Sequence, residues 1–559
     1  MLAVLLASAH GRSDEPAELL LLNGKIVTVD PEQPQVQALA ARDGVIVALG
    51  TDDEMQAYRG AQTTVLDLGG RLTIPGLIEG HGHFRSYGRS LINVDLNGAR
   101  TWDEAVQRVA AAAQTMQPGE WILGRGWHQE KWDVRPSPHV EGYPTHQSLS
   151  QATPNNPVLL RHASGHAAIA NAEAMQRAGI HEATPDPQGG RILRDLRGRA
   201  TGVLRETAQS LAQVAYEAEQ EKLTDAERLA RAEREMMLAN AGCLENGITS
   251  FQDAGSPFED VDVMHALCED GRIDVRLWVM LRESNARLRA RLPRYRIIGG
   301  SNDHLTVRAL KRSIDGALGS HGAWLLEPYA DQPHSIGHNT ADLDSLEDLA
   351  RMAIENDFQL CVHAIGDRGN RETLDLFQRT FEAHPQKSDL RWRVEHAQHL
   401  SPADIPRFGR LGVIASMQGI HCTSDAPWVL LRLGEERAQS GAYVWRQLID
   451  SGARICNGTD VPVESIDPIA SLYASIARRT SKGERFYPEQ SMTRMEALQS
   501  YTLNNAYAAF EDDIKGSLTP GKLADIVVLS QDILTVPEEQ IPATRVDVTI
   551  VGGQIVFER

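Results

Sequence analysis

The sequence predicts a parallel α/β barrel joined to one small sheet domain built from both chain ends. Three observations carry this. Short apolar strands alternate with amphipathic helical stretches through the centre of the 559-residue chain, the rhythm of βα units rather than of an all-β or all-α fold. The first and last segments share a different, β-rich texture. Histidines, a lysine and an aspartate recur at the C-terminal ends of the central strands, where a (β/α)8 barrel gathers its active site.

Residues 18–73 open the sheet domain. "ELLLLNGKIVTVD" and "ALAARDGVIVALG" are β-type runs, with Asn23-Gly24 and Asp43-Gly44 as hairpin-turn signals, and "TTVLDLGGRLTIPG" adds a strand. Residues 517–559 resume the texture in "ADIVVLSQD" and "VDVTIVGGQIVFER". The barrel is expected over 74–516, with Pro75-Gly76 marking the passage into it. Its strands are "LTIPGLIEG", "ITSFQDAG", "IDVRLWVML", "HLTVRALKRSIDG", "FQLCVHAIGD", "LRWRVEHAQ", "GVIASMQG" and "ARICNGTD". Amphipathic helices such as "LTDAERLARAEREMMLANAGCLENG" and "SLEDLARMAIEND" lie between them. Residues 95 to about 225 fit the rhythm poorly and read as an insertion, with aromatic-rich pieces such as "GRGWHQEKWD".

The ends and the composition bound the function. Residues 1–17 contain "LAVLLASA", a signal-peptide-like core without a basic n-region, or a simple tail. Cytoplasmic and periplasmic locations both stay open. No other stretch is long and apolar enough to span a bilayer. A formal net charge of −19 argues against non-specific binding to nucleic acid or acidic membranes, so the expected partner is a small-molecule substrate. Cys243, Cys268, Cys361, Cys422 and Cys456 are odd in number, widely spaced and without CxxC. They form neither a disulfide framework nor a zinc-finger pattern.

Each site candidate is weak alone. His81 and His83 end "LTIPGLIEG", and strand alternation puts i and i+2 on one face. Lys311, beside Arg312, reads in isolation as a solvated charge. Asp460, before Val461-Pro462, reads in isolation as a turn residue or helix N-cap. His363 and His396 end two further strands. Their recurrence at strand ends makes one cluster of them. Imidazole and carboxylate suit a borderline divalent ion such as Zn2+, which acidifies water to a pKa of about 7. Asp460 is placed to carry a proton from that water to a leaving group. An ammonium is a poor ligand; Lys311 makes chemical sense there as a carbamate (N6-carboxylysine), whose two oxygens bridge two ions.

With these residues in view the sequence resembles the amidohydrolase superfamily, most closely its amidohydrolase-3 branch of YtcJ-like and N-substituted formamide deformylase-like proteins. The matching stretches are "LLNGKIVTVD", "PGLIEGHGHF", "GRGWHQEKWD", "LKRSIDGALGSHGAWLLEPYAD", "VHAIGDRGN", "VEHAQHL", "ASMQGIHCTSDAPW", "NGTDVPVESIDP" and "GSLTPGKLADIVVLSQD". The resemblance implies that the terminal sheets form a β-sandwich beside a (β/α)8 TIM-type barrel. It implies that His81, His83 and Asp460 bind the more buried of two ions, that His363 and His396 bind the second, and that Lys311 is the bridging carboxylated lysine. One-metal members exist, so one or two ions are expected. His166 in "RHASGHAAIAN" and His421 match family-pattern histidines that polarise a carbonyl, hold substrate or order loops. Trp127 lines the pocket or packs the insertion. Asp315 is a second-shell partner or a turn residue. His321 stands where "DGALGSRGA"-type sequences carry Arg, a departure that weakens inference about substrate from relatives.

The expected activity is metal-dependent hydrolysis of a C–N bond in an amide or N-acyl/N-formyl amine. Esterase, carbamate hydrolase and lactonase activities use the same site, because the same nucleophile attacks every acyl centre. A non-catalytic binding protein on the hydrolase fold is the remote alternative, disfavoured because all six candidate ligands are present. A nicotinamide-dependent oxidoreductase lacks its glycine fingerprint after the first strand. A homodimer is the assembly expected.

Overall fold

The computed structural model describes residues 15–129, 132–162 and 167–559. The signal-like stretch and His166 lie outside the described residues. Among the described residues, no helix is long and apolar enough to cross a membrane.

Eight parallel strands form the barrel: β1 (Leu77–Gly82), β2 (Ile248–Ser256), β3 (Arg276–Leu281), β4 (Leu305–Ser313), β5 (Gln359–Ala364), β6 (Arg393–His396), β7 (Ile414–Gln418) and β8 (Ile455–Gly458). They lie in sequence order. Each falls within a run read from the sequence as a strand, give or take a residue or two at its ends. Both faces of each strand are covered, so β3 reads "RLWVML" without polar alternation. Leu277, Val279 and Leu281 face the helices. Trp278 and Met280 face the barrel interior with Ala254, Ala309 and Cys361. There the Arg393 guanidinium stacks over Trp278 at 4.4 Å and bonds Gln252 and the Ala508 carbonyl.

The helix Leu343–Glu355 shows how the outer layer forms. Asp342 caps it by accepting from Ser345 N, and Leu346, Leu349, Ala350, Ala353 and Ile354 bury one face.

The seam between β8 and β1 is closed by a side chain. Glu79 accepts from Thr459 N (2.7 Å), Thr459 Oγ1 (3.1 Å) and His81 N (3.2 Å). Asp460 N donates to the His81 carbonyl and His83 N to that of Val461. Glycine is required at the crossing. A Cβ on Gly80 would lie 2.4 Å from the Asn457 carbonyl, and one on Gly458 2.4 Å from Glu79 Oε1.

The chain ends form two sheets. Leu19–Leu22, Ala38–Arg42, Val45–Gly50 and Thr64–Asp67 make one. Lys25–Val27, Gln35–Val36 and Leu72–Pro75 join Ile526–Leu529, Val546–Val551 and Gln554–Glu558 in the other. Leu19, Leu21, Leu39 and Ile46 pack with Ile26, Ile526, Val528 and Ile550 between them, as in a β-sandwich.

Residues 88–235 form a separate compact unit. Its mixed sheet runs Val94–Asp95, Ile122–Trp127, Val158–His162, Ala167–Ala170, Ala200–Glu206, Gly190–Arg194. Period-2 alternation gives two cores: Leu160, Ile169 and Val203 pack with Trp102 and Trp127, while Leu159, Ala168 and Leu204 pack with Trp121. The unit spans more than 95–225: the helices Phe84–Ile92 and Asp225–Glu245, the second of which reads as part of the barrel rhythm, carry the chain across its limits. All five cysteines are buried and unpaired.

Candidate metal centre

β1 delivers the first two imidazoles. His81 is 1 % exposed. Its Nδ1 lies 2.5 Å from Glu395 Oε2. Burial pushes the Glu395 carboxyl up, but His81, Lys311 and Arg393 outweigh it and hold the group down at about 2. An ionised carboxylate only accepts, so Nδ1 carries the proton and Nε2 presents its lone pair. His83 follows one step beyond the strand.

Asp460 lies just past β8, in the left-handed region at φ 58°. It caps no helix: the next one, Pro468–Ala477, is capped by Asp467. Its Oδ1 is 3.2 Å from His83 Nε2 and 3.6 Å from His81 Nε2, and its Oδ2 is 3.5 Å from His421 Nε2. Burial pushes this carboxyl up, yet His421 and His83 hold it well below the usual carboxylate range. His421 comes from the first turn of the helix Gly419–Leu433 that follows β7. His396 ends β6 with φ 76°. That turn re-aims its ring, which strand alternation would otherwise set opposite Glu395. Its Nδ1 is 2.8 Å from Gln418 Oε1, and its ring centroid is 4.7 Å from His81 and 4.4 Å from His363. Ligand atoms of His81, His83 and Asp460 lie within 4.8 Å of one another, as do those of His396, His421 and Asp460.

Lys311, on β4, is 2 % exposed, with Nζ 3.4 Å from the Ala254 carbonyl. Arg312 points the other way, to the Glu283 carbonyl and Asn285. Burial lowers the Lys311 ammonium. Burial, then the Lys311 charge, keeps His81 low and pushes His363 down to about 3. Neutral imidazoles are what a divalent ion requires. Among the described residues, His81 Nε2, His363 Nε2 and Asp460 Oδ1 are buried without a hydrogen bond. Such groups cost about 1–3 kcal/mol each when left unmatched. The donor set therefore fits a borderline divalent ion.

The substrate-side candidates separate. The Asp315 carboxylate accepts from Trp324, Ile365 and Gly366 N at 2.8–3.0 Å and lies 3.7 Å from His363 Nε2. It ties the loops after β4 and β5 together, and burial pushes it up to about 7. His321 is held by Asp331 at 3.2 Å and packs on Tyr329. Trp127 is corrected from pocket wall to core: it is fully buried among Trp132, Tyr143 and His162, with Nε1 donating to the Leu160 carbonyl. Sequence reasoning missed Glu395, Gln418, Glu464 and Glu79. Glu464 Oε1 lies 3.6 Å from His421 Nδ1, and burial pushes Glu79 up to about 8. The one available signal was a carboxylate adjacent to a ligand histidine in "VEHAQ".

A parallel eight-stranded barrel with histidines, an aspartate and a lysine converging at its C-terminal mouth defines a recognisable class of proteins. Within it, this chain belongs to the amidohydrolase family 3, whose profile, described as Amidohydrolase family, matches residues 64–557. It is similar to Protein LONG AFTER FAR-RED 3 of Arabidopsis thaliana, 32% identical over 97% of this chain and 92% of that one. The putative amidohydrolase YtcJ of Bacillus subtilis (strain 168) is 29% identical over 96% and 98%. The N-substituted formamide deformylase of Arthrobacter pascens is 26% identical over 97% and 98%. The crystal structure of an uncharacterized metal-dependent hydrolase from Pyrococcus horikoshii OT3 superposes with a TM-score of 0.73 at 25% identity, covering 93% of this chain and 99% of that one.

Proposed function

We propose that this protein is a metal-dependent hydrolase that cleaves the C–N bond of an amide or N-acyl/N-formyl amine. The observation that carries the reading is the set of buried, unpartnered ligand atoms on His81, His363 and Asp460 at the barrel mouth. The similarity to a deformylase named for N-substituted formamides supports the choice of bond. His81, His83 and Asp460 would hold one ion of the Zn2+ type. His363 and His396 would hold a second, with Lys311 as a carbamate joining the two. A divalent ion held there acidifies water and draws charge from an acyl oxygen.

The chain's own residues do the rest. Glu395 and Gln418 fix the tautomers of His81 and His396. Asp460 takes the proton of the attacking water and returns it to the departing nitrogen. His421, between Asp460 Oδ2 at 3.5 Å and Glu464 Oε1 at 3.6 Å, orients the Asp460 carboxylate. Burial lowers the Lys311 ammonium, which favours the neutral amine that addition of CO2 would require.

The test is metal analysis of the purified full chain by plasma mass spectrometry, with a hydrolysis panel of N-acyl amino acids, formamides, carbamates and esters. One or two divalent ions per chain and turnover of an amide or formamide are expected. No ion after metal addition, and no hydrolysis, overturns the reading. Asp460→Asn is expected to lower kcat by about 10²–10⁴-fold; a variant that keeps its metal and its full rate refutes the proton-carrying role.

A further inference from the structure

We propose that the substrate carries a neutral, apolar substituent, alkyl or aryl, which lies on a shelf formed by Trp428, Leu431 and Val463 beside the barrel mouth. The inference rests on the hydrolase reading and names the substrate class for that site.

The helix Gly419–Leu433 begins at His421 and runs away from it. Residues 421, 425, 428 and 432 share one face, and 424, 428 and 431 form the adjoining row. At 1.5 Å per residue, Trp428 lies about 10 Å and Leu431 about 15 Å along the axis from His421. Trp428 is 42% and Leu431 57% exposed. The loop that leaves Asp460 adds to this row. Val463, 66% exposed, follows Asp460 in a tight turn, its N–H donating to the Asp460 carbonyl. The next residue, Glu464, rests on both His421 and Ser424. Val463 therefore sits beside the helix's first turns, Trp428 is about two turns beyond His421, and Leu431 is one turn further on. Three exposed apolar side chains lie along a path that starts at the site, on the two segments that carry His421 and Asp460.

The shelf is built rather than incidental. The Trp428 indole is tied by Nε1 to Asp425 Oδ1 at 3.3 Å, and the other oxygen of Asp425 accepts from the Tyr443 hydroxyl at 2.7 Å. The indole also lies against Gly319, in the loop that follows β4. At the far end Arg432 is paired with Asp331 and donates to the Gly319 carbonyl. Arg432 is thus paired within the chain and both oxygens of Asp425 are occupied, which suits an uncharged substituent. A ring held in place binds an apolar group at little entropic cost.

The test compares two substrate series on the metal-replete full chain: N-methylformamide against N-hexylformamide, and N-methylacetamide against N-methylhexanamide. Direct calorimetric binding of the same four compounds to Asp460→Asn gives a readout independent of turnover. Each methylene placed on the shelf is expected to tighten binding about 2- to 4-fold. The hexyl or hexanoyl member of one series is therefore expected to exceed its short partner by at least about 10-fold, expressed in KM rather than kcat. Trp428→Ala is expected to cut that ratio below about 3-fold, and Trp428→Phe to keep most of it. Val463→Asn serves if Trp428→Ala does not fold. An unchanged ratio in these variants overturns the shelf, as does a ratio near one in both series with the native chain. A dimer that Trp428→Glu converts to monomer, seen by light scattering, also overturns it, because a second copy then covers the face. Preferential binding to Asp460→Asn without hydrolysis by the native chain leaves the shelf standing and refutes the hydrolase reading instead.

Discussion

At the N-terminal end of the barrel, Arg276 and Asp525 are 3% and 5% exposed and fully bonded. Asp525 accepts from Arg276 Nε at 2.8 Å and Nη2 at 3.1 Å and from Gly552 N at 2.8 Å. Arg276 Nη1 reaches the carbonyls of Asn302 and Asp303. At the C-terminal end, His81 and Asp460 are 1% and 7% exposed and the His363 side chain 18%, and each keeps a buried atom without a hydrogen bond. The first arrangement joins the sandwich to β3. The second gives up stability and is consistent with atoms reserved for a ligand. Buried charge alone therefore does not mark a functional site; unmatched bonding capacity on several converging ligand atoms is the stronger sign.

The largest expected effect breaks the satisfied end. Asp525→Ala leaves a buried guanidinium uncompensated and is expected to cost about 3–5 kcal/mol in urea unfolding, with activity per folded molecule kept. A loss under 1 kcal/mol removes that contrast between the two ends. The joint also sets a pH dependence. Burial pushes Asp525 up, but Arg276 and the Gly552 N–H outweigh it and leave the carboxyl below its ordinary value, near 3.9 for aspartate. Its stabilisation is thus complete above about pH 4 and is lost as pH falls through the lower folded value. The gap between the native chain and Asp525→Asn in Tm should close on acidification; a gap that widens has the wrong sign.

Next in size is Glu395→Gln, at the unsatisfied end. It removes the charge that fixes the Nδ1 proton of His81. Zn2+ affinity, read by titration calorimetry, is expected to fall about 10–100-fold, with unfolding in the absence of metal little changed. An unaltered affinity separates Glu395 from the centre.

The barrel was legible because its strands are apolar runs of the right length, bounded by turns, and because a barrel brings every strand end to one mouth. His81, His83, Lys311, His363, His396 and Asp460 could be gathered on that argument alone. Glu395 could not. Alternation sets it opposite His396, and only the left-handed φ at His396 brings both to the site. No residue-type signal announces that turn, since histidine is not a residue that requires it. The later limit of the unit 88–235 was hidden for a related reason: the helix Asp225–Glu245 that crosses it reads from sequence as one of the barrel's. Trp127 misled because an aromatic in an irregular segment reads equally as pocket or core until the alternation of the sheet beneath it is known.

The smallest expected effect sharpens the rule itself. His399 lies in the same "VEHAQHL" stretch as His396, is fully buried, and has neither Nδ1 nor Nε2 hydrogen-bonded. Burial alone pushes it down to about 3, so it is neutral. Its ring packs against Tyr443 at 5.5 Å, and it belongs to neither of the ligand clusters at the mouth. If unmatched capacity marks function only where several ligand atoms converge, His399 is an ordinary packing residue with an unpaid polar cost. His399→Phe then exchanges an unbonded imidazole for an apolar ring of similar shape. That change is expected to leave stability unchanged or raise it by up to about 1 kcal/mol, with metal content and kcat/KM unaltered. A loss above about 2 kcal/mol in urea unfolding, reproduced in His399→Leu, would mean that the two nitrogens hold a buried water or ion. Unmatched capacity would then mark a ligand even for a single residue, and the distinction between the mouth and the rest of the core would have to be drawn from convergence and exposure together.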